Sequence, residues 1–404
     1  MNTSLLACLR GAGKRLRPAL ERERSRRPVR FRLLEPFRLL EPLALLPLSW
    51  PPSARFILLD YPHPNSKSAA VYNELIAAGV PRDRIWRPPE RGTPRMSRLV
   101  RVLARLPWAI GFLVRLHRRS HQRDRVDLRI ILGREQCRRA LRAAPQLTPI
   151  IISDVSPTLH MLWSAADAEG NRALWWQDDF HHHWRLPYDV RAAAVLNEPG
   201  LATARQRGTA TIIARRPTDP PAQLRGVPRA PIVGVATNAS FATTEAQRVL
   251  LATFAAKLGI DRLELRLHPT RRQPASAFRG WPVQLAPADE PMDAFAARVD
   301  LVAVGNTAAQ IWLLRKGVPV LHFSGLDTQG YDRYGYASQG FVLGVEELDT
   351  LSLDRVAAFY ESDPSLPTRI REYTTVDAAH NVSELNELAS LMARRQPPAR
   401  PPSV

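Results

Sequence analysis

Cysteine is nearly missing from this sequence: Cys8 and Cys137 are the two in 404 residues. That excludes a disulfide framework, and without a CxxC pair it also excludes Cys-based zinc and thioredoxin-type chemistry. Lysine is scarce too, four of the 57 basic side chains, the rest being arginine. No apolar run reaches the roughly 18 residues that a membrane-spanning helix requires. The first 30 residues carry arginines throughout and lack the continuous apolar stretch of a signal peptide. Neither GxxxxGK followed by Ser or Thr nor GxSxG is present, and the position after the first expected strand reads YPHPNSKS (61–68) instead of GxGxxG. P-loop hydrolases, α/β-hydrolases and ordinary dinucleotide enzymes are disfavoured accordingly. No RRM, KH, zinc-finger or helix-turn-helix pattern supports specific nucleic-acid binding.

What is present is a core and a one-sided charge. With 45% apolar and 24% charged residues the chain can bury a large interior. The net charge of +19 is localised: residues 1–150 hold 31 basic and 11 acidic side chains, against 26 and 27 in 151–404. A surplus of that kind reads either as a solvated surface or as a face that meets anionic lipid, a polyanionic glycan or nucleic acid.

Along the chain, residues 1–53 are Arg- and Pro-rich, with FRLLEP at 31–36 and again at 37–42, and read as an irregular extension. Strand and helix patterns then alternate: strand 54–62, helix 66–79, strand 148–154, helix 157–170 and strand 172–180. Residues 97–119 show helical apolar spacing interrupted by Pro107, which is expected to kink or divide the helix. The same stretch offers Trp108, Ile110, Phe112 and Leu113 as an apolar patch flanked by Arg101, Arg105, Arg115, Arg118 and Arg119. It reads as a membrane-surface helix or as a core helix with solvated arginines. Residues 215–230 are proline-rich and read as a linker. A clearer series follows: strand 231–237, helix 243–259, strand 262–269, helix 292–299, strand 300–305, helix 307–317 and strand 318–323. Helices are expected at 352–361 and 382–394, and 391–404 is a Pro-rich tail. Strands alternating with helices predict an α/β fold of two Rossmann-like parallel-sheet domains facing a cleft, 54–214 and 231–390.

Three motifs carry chemistry. In DLVAVGNTAAQ (300–310) an apolar strand runs through Gly305, Asn306 and Thr307 into a helix, a turn suited to a phosphate. The same Asn306 or Thr307 also reads as a plain helix cap. In RLELRLHPTRR (262–272), His268 ends a strand where open α/β sheets bind ligands, with Arg266 and Arg271 adding charge. Histidine there can donate a hydrogen bond or a proton to a phosphate, although such a residue is also often structural. In WWQDDFHHHW (175–184), Asp178 and Asp179 end a strand, so one is a candidate general base. The contiguous His181, His182 and His183 are poorly spaced for a single preorganised metal, and a polar loop is the plainer reading.

The order of these motifs resembles the twin-Rossmann (GT-B) transferases of bacterial surface-polymer assembly: capsule glycosyltransferases, sialyl- and polysialyltransferases, and teichoic-acid glycerophosphotransferases. A two-carboxylate motif, a His-Pro motif and a hydroxyl residue opening a helix correspond to DDF (178–180), HP (268–269) and NTA (306–308). NSKSAAVYNEL (65–75) and GVPVLHFSGLDTQGYDRYGYASQGF (317–341) are similar to segments of the teichoic-acid enzymes. Phe180 stands where that acidic motif usually has glycine, and Ala308 where the Ser/Thr pair opening the helix has its second hydroxyl residue. The resemblance implies Asp179 as the base for the acceptor hydroxyl, with Asp178 or His63 as alternatives. His268 and Thr307 would meet the donor phosphate. Asp60, His63, Asp154 and His181 are the candidate acceptor-site residues. IWLLRK (311–316) lacks the ribose-binding acid of many UDP-sugar enzymes, which favours a CMP- or CDP-activated donor. The implied activity is transfer of a sugar or polyol-phosphate to a glycan or lipid-linked acceptor. It would take place in the cytoplasm or on the inner face of the plasma membrane, without cofactor or metal. A non-catalytic polyanion- or membrane-binding descendant and a nucleotide-sugar epimerase are the alternatives.

Overall fold

A computed structural model describes residues 41–44, 46–59, 67–88, 95–119, 128–152, 157–170, 173–178, 180, 190–215, 221–238, 240–268, 273–288, 290–327, 332–376, 383–384 and 387–388. The first unit is built on β1 (Phe56–Leu58), β2 (Ile85–Trp86), β3 (Thr148–Ile152), β4 (Leu174–Trp176), β5 (Ala192–Val195) and β6 (Thr211–Ala214). A two-residue strand near the end of the chain, β13 (Ser383–Glu384), joins its edge, giving the order β13-β6-β5-β4-β3-β1-β2. The second unit contains β7 (Val233–Ala236), β8 (Leu263–Arg266), β9 (Val283–Leu285), β10 (Leu301–Val304), β11 (Val320–Phe323) and β12 (Leu343–Val345). Their order is β12-β11-β10-β7-β8-β9. Every strand pair in both sheets is parallel. The fold is therefore α/β with two Rossmann-like parallel-sheet units, as the alternating pattern predicts.

Topology fixes where each sheet can bind. Read from its outer edge, the second sheet runs third, second, first, fourth, fifth, sixth in chain order, the Rossmann order, and it reverses between β7 and β10. The first sheet reverses between β1 and β3. Ligands of open parallel sheets settle at the carboxyl ends of the strands that flank such a reversal.

The helices are α1 (Glu41–Ala44), α2 (Lys67–Ala77), α3 (Arg95–Arg119), α4 (Leu128–Ala143), α5 (Pro157–Ala168) and α6 (Glu198–Gln206) in the first half. In the second half they are α7 (Glu245–Lys257), α8 (Met292–Arg298), α9 (Ala309–Arg315), α10 (Leu353–Ser362) and α11 (Leu366–Tyr373). Parallel strands covered on both faces need no polar alternation, and β3, β4 and β5 are accordingly continuous apolar runs with Trp175 and Trp176 at 2% and 0% exposure. The second core stacks Phe254 on Phe323 at 5.2 Å and closes over Phe295 and Tyr336. Cys137 is buried in the first core, and burial pushes its thiol up to about 12.

Three expectations are corrected. Pro107 does not divide α3, which runs unbroken from Arg95 to Arg119. The carbonyl that proline leaves without its helical donor belongs to Leu103, on the exposed side, where water can serve it. Trp108 and Phe112 form no outer patch: they stack at 5.7 Å and pack inward on the small cluster of Leu43, Ala109 and Leu132. Finally, the helix expected over 382–394 begins instead as strand β13 on the first sheet, where ladder pairing to Ile213 and Ala214 outweighs local helical spacing. Residues 221–227 of the expected linker lie along the second unit, with Ala222 and Arg225 donating to the carbonyls of Arg315 and Gly317 at 2.7 and 2.8 Å. The linker approaches so closely that a Cβ on Gly317 would stand 2.3 Å from the Gln223 carbonyl oxygen.

Candidate functional site

At the carboxyl edge of the second sheet, the ends of β7, β8, β10 and β11 are tied together by side chains. Beyond β7, the Thr237 hydroxyl accepts the backbone N–H of His268 at 3.1 Å, and the Thr237 N–H donates to the Arg266 carbonyl at 3.0 Å. Next in sequence, Asn238 donates through Nδ2 to Asp327 at 2.7 Å and to the Asn306 carbonyl at 3.4 Å. Its Oδ1 accepts the N–H and hydroxyl of Ser240 at 2.9 and 2.7 Å. Asp327, beyond β11, accepts the backbone N–H of Asn306 at 2.6 Å. One carboxylate thus fixes the turn after β10 against the turn after β7, across the reversal of the sheet. Gly305 is required by this approach, since a Cβ there would lie 2.3 Å from an Asp327 oxygen.

Several of the residues singled out in the sequence converge here. His268 is half-buried beside Thr237, and Gly305, Asn306 and Thr307 form the facing turn. Their roles separate. The Asn306 carboxamide oxygen accepts the Arg333 N–H at 2.6 Å while its backbone N–H is held by Asp327, so Asn306 shapes the turn from within. The Thr307 hydroxyl accepts the Ala309 N–H at 3.3 Å, a weak cap that leaves its own hydrogen for an oxygen ligand. The helix it opens, α9, has seven residues. Arg266 turns toward the loop after β9, where its guanidinium donates to the Glu290 carbonyl at 3.0 Å, and burial holds it below its ordinary value.

Behind the turn stand two residues to which the motifs assign no role. Fully buried Gln310 donates to the Gly305 carbonyl at 2.8 Å and sits 3.0 Å from His322 Nδ1. His322 Nε2 accepts the Asp332 N–H at 3.1 Å, and burial lowers its pKa against the opposing pull of Asp332 and Asp327. The imidazole is therefore a neutral strut of the loop 332–341. Asn238 belongs to no motif and Asp327 lies within the stretch 317–341 without a role assigned to it; the strand order brings them to one point.

The carboxylate pair approaches from the first unit. Gln177, at the end of β4, is buried and donates to Asn197 at 2.7 Å while accepting the Leu196 N–H at 2.8 Å. Arg215 ties the same end to α2: its guanidinium donates to the Gln177 carbonyl, pairs with Glu74 and lies 4.5 Å over the Trp176 ring. Three residues later, Phe180 is wholly buried in the core of the second unit, 5.0 Å from Trp312 with Arg315 at 5.7 Å. Its carbonyl accepts the hydroxyls of Tyr336 and Tyr373, the latter at 3.2 Å. Chain connectivity limits Gln177 to Phe180 to about 10–11 Å, so the segment of Asp178 and Asp179 is the crossing from one core to the other. Half-buried Asp178 is the described member of the pair. Asp179, Asp60, His63, Asp154, His181 and Arg271 lie outside the described residues. Asp60 and Asp154 do follow closely on β1 and β3, which flank the reversal of the first sheet. No group of three or more potential metal ligands occurs among the described residues.

No protein-family model matches the chain, and no curated protein does. Among solved structures, the chain is similar to MurG of Acinetobacter baumannii at 10% identity, covering 85% of this chain and all of that one, with a TM-score of 0.41. It is also similar to the calicheamicin glycosyltransferase (12% identity, 80% and 93% covered, TM-score 0.44) and to a UDP-N-acetylglucosamine 2-epimerase (12%, 86% and 99%, TM-score 0.43). These likenesses are loose, and the fold assignment rests on the strand order of the two sheets.

Proposed function

We propose that the chain is a GT-B-type transferase. It would move a sugar or polyol-phosphate from a nucleotide-activated donor, of the CMP or CDP type, to a hydroxyl of a surface glycan or lipid-linked acceptor. The observation that carries this reading is the tied turn at the β7–β10 reversal. His268 follows β8 and Thr307 follows β10 at the carboxyl edge of that sheet, and the segment of Asp178 and Asp179 follows β4 of the first unit and leads to Phe180 in the second core. In this scheme the acceptor oxygen attacks the transferred group while Asp179, or its neighbour Asp178, takes the hydroxyl proton. The bond to the departing nucleotide phosphate breaks, and the negative charge that collects on that phosphate is met by His268 and the Thr307 hydroxyl. Proximity supplies much of the rate, because two units each hold one reactant.

Removing either donor to the phosphate is expected to weaken nucleotide binding. A hydrogen bond to a charged group is worth about 1.5–3 kcal/mol, so His268→Ala and Thr307→Ala should each raise the dissociation constant by about one to two orders of magnitude. Calorimetric titration with CDP measures this directly, and unchanged affinity in both variants contradicts the placement of the phosphate.

A further inference from the structure

Helix α3 is inverted relative to an ordinary surface helix. The two arginines of its central turns point inward: Arg105 donates to the carbonyls of Leu43, Leu46 and Pro47, the Leu46 bond at 2.8 Å, and Arg101 donates to that of Ala44 at 3.2 Å. Its aromatic residues turn inward too, with Arg139 of α4 lying 4.6 Å over the Trp108 ring. What remains outside is aliphatic. Leu99, Val100, Leu103 and Ile110 are 49%, 49%, 54% and 53% exposed, four of the seven exposed large hydrophobic side chains among the described residues. At 100° per residue, Leu99, Leu103 and Ile110 fall within about 40° of one line, with Pro107 and Val100 beside them. Leu48, 55% exposed, directly follows the Pro47 carbonyl that Arg105 holds.

Charge selects the occupant of this face. α3 carries seven arginines and no acidic residue, with Arg95 and Arg98 in its first turn and Arg115, Arg118 and Arg119 in its last two. The whole of residues 1–150 has a surplus of 20 positive charges. A second copy would bring two such surpluses together, which disfavours a homodimer here. Protein interfaces concentrate Trp, Tyr and Arg at their centres, whereas this face has its Trp and Arg folded away and shows branched aliphatics. Such a face matches fluid hydrocarbon below a negatively charged headgroup layer. No described helix is long and apolar enough to cross a membrane, so α3 would lie in the plane of the surface.

The geometry points to the outer face of α3 as an anionic-membrane docking surface, with Leu99, Val100, Leu103 and Ile110 seated at the acyl boundary and the arginine-rich sequence of the helix ends adding electrostatic attraction. This goes beyond the proposed transfer reaction and does not depend on it. The two arginines of the central turns serve the fold, so the charge contribution comes from the helix ends while the apolar contribution comes from its middle.

Co-sedimentation of the full chain with vesicles tests this. Binding is expected to phosphatidylcholine vesicles containing phosphatidylglycerol, to fall with added salt, and to be weak on pure phosphatidylcholine. Leu99→Glu with Leu103→Glu should cut the partition coefficient by at least about tenfold. Both positions are exposed, so thermal midpoint and circular dichroism should stay those of the parent. Arg115→Glu with Arg118→Glu should weaken binding and flatten its salt dependence. Absence of binding to the anionic vesicles at low salt overturns the proposal, as does unchanged binding by the Leu99/Leu103 variant. Concentration-dependent dimerisation that the same variant abolishes, without vesicle binding, overturns it in favour of a self-association face.

Discussion

Asparagine at position 179 is expected to lower transfer by about 10²–10⁴-fold, the range for loss of a general base, while nucleotide affinity stays that of the parent. The carboxamide keeps the shape of the side chain and cannot take a proton from the acceptor hydroxyl. Because the proposed scheme places the donor on the other unit, at the turn of Gly305 to Thr307 and at His268, the two effects should separate cleanly: kcat falls and donor KM does not. Asp178→Asn is the matched control. The segment between Gln177 and Phe180 offers two adjacent carboxylates, and inactivity of Asp178→Asn with near-parental Asp179→Asn assigns the base to Asp178. Near-parental turnover in both variants removes carboxylate base catalysis from the scheme.

Phe180→Ala should destabilise the protein by about 3–5 kcal/mol, as deletion of a fully buried aromatic side chain does. Its wholly buried ring packs 5.0 Å from Trp312, and Arg315, only 4% exposed, loses the face it lies on. The substitution has a second consequence. Phe180 anchors the carboxylate segment in the second core, so its loss frees that segment from the unit to which the proposed scheme assigns the donor. Residual enzyme should therefore show kcat reduced beyond the folded fraction, with CDP affinity preserved. Phe180→Leu retains most of the buried volume and should recover much of both. Chemical denaturation and steady-state kinetics measure the two effects separately. A Phe180→Ala protein of parental stability contradicts the burial of this side chain between the units.

Those two residues also show what could be read without coordinates. Four strands of the second sheet are legible because parallel, doubly covered strands appear as short runs closed by Gly, Asn or Pro, and β7, β8, β10 and β11 fall within the expected segments. Strand β5 was not, because Ala192, Ala193 and Ala194 favour helix locally and are held extended only by their neighbours in the sheet. β9 and β12, three residues each, are too short to show any period. At the candidate site, His268 and the turn of Gly305 to Thr307 were visible because each ends a strand in a recognisable motif. Asp327 and Asn238 were not, since they lie 89 residues apart and meet only because β7 sits next to β10. Phe180 reads in sequence as an interruption of an acidic motif, and its function as an anchor depends on Trp312, Tyr336 and Tyr373, all more than 130 positions away. Trp108 and Phe112 misled for a related reason: helical spacing marks an apolar stripe without saying which stripe faces α1 and α4, and the exposed one proved to be the aliphatic line through Leu99, Leu103 and Ile110.

The central claim is that a nucleotide diphosphate or monophosphate of an activated donor binds at the β7–β10 reversal. Thermal unfolding of the parent chain, run in parallel with CMP, CDP, UDP and GDP and with their sugar or polyol conjugates, tests it most directly. A ligand at 100 times its dissociation constant stabilises the bound fold by about 2.7 kcal/mol. A shift of that order is expected with a cytidine nucleotide, reduced in His268→Ala and in Thr307→Ala. Flat midpoints across all the nucleotides and conjugates, or a shift that both variants retain in full, would contradict it.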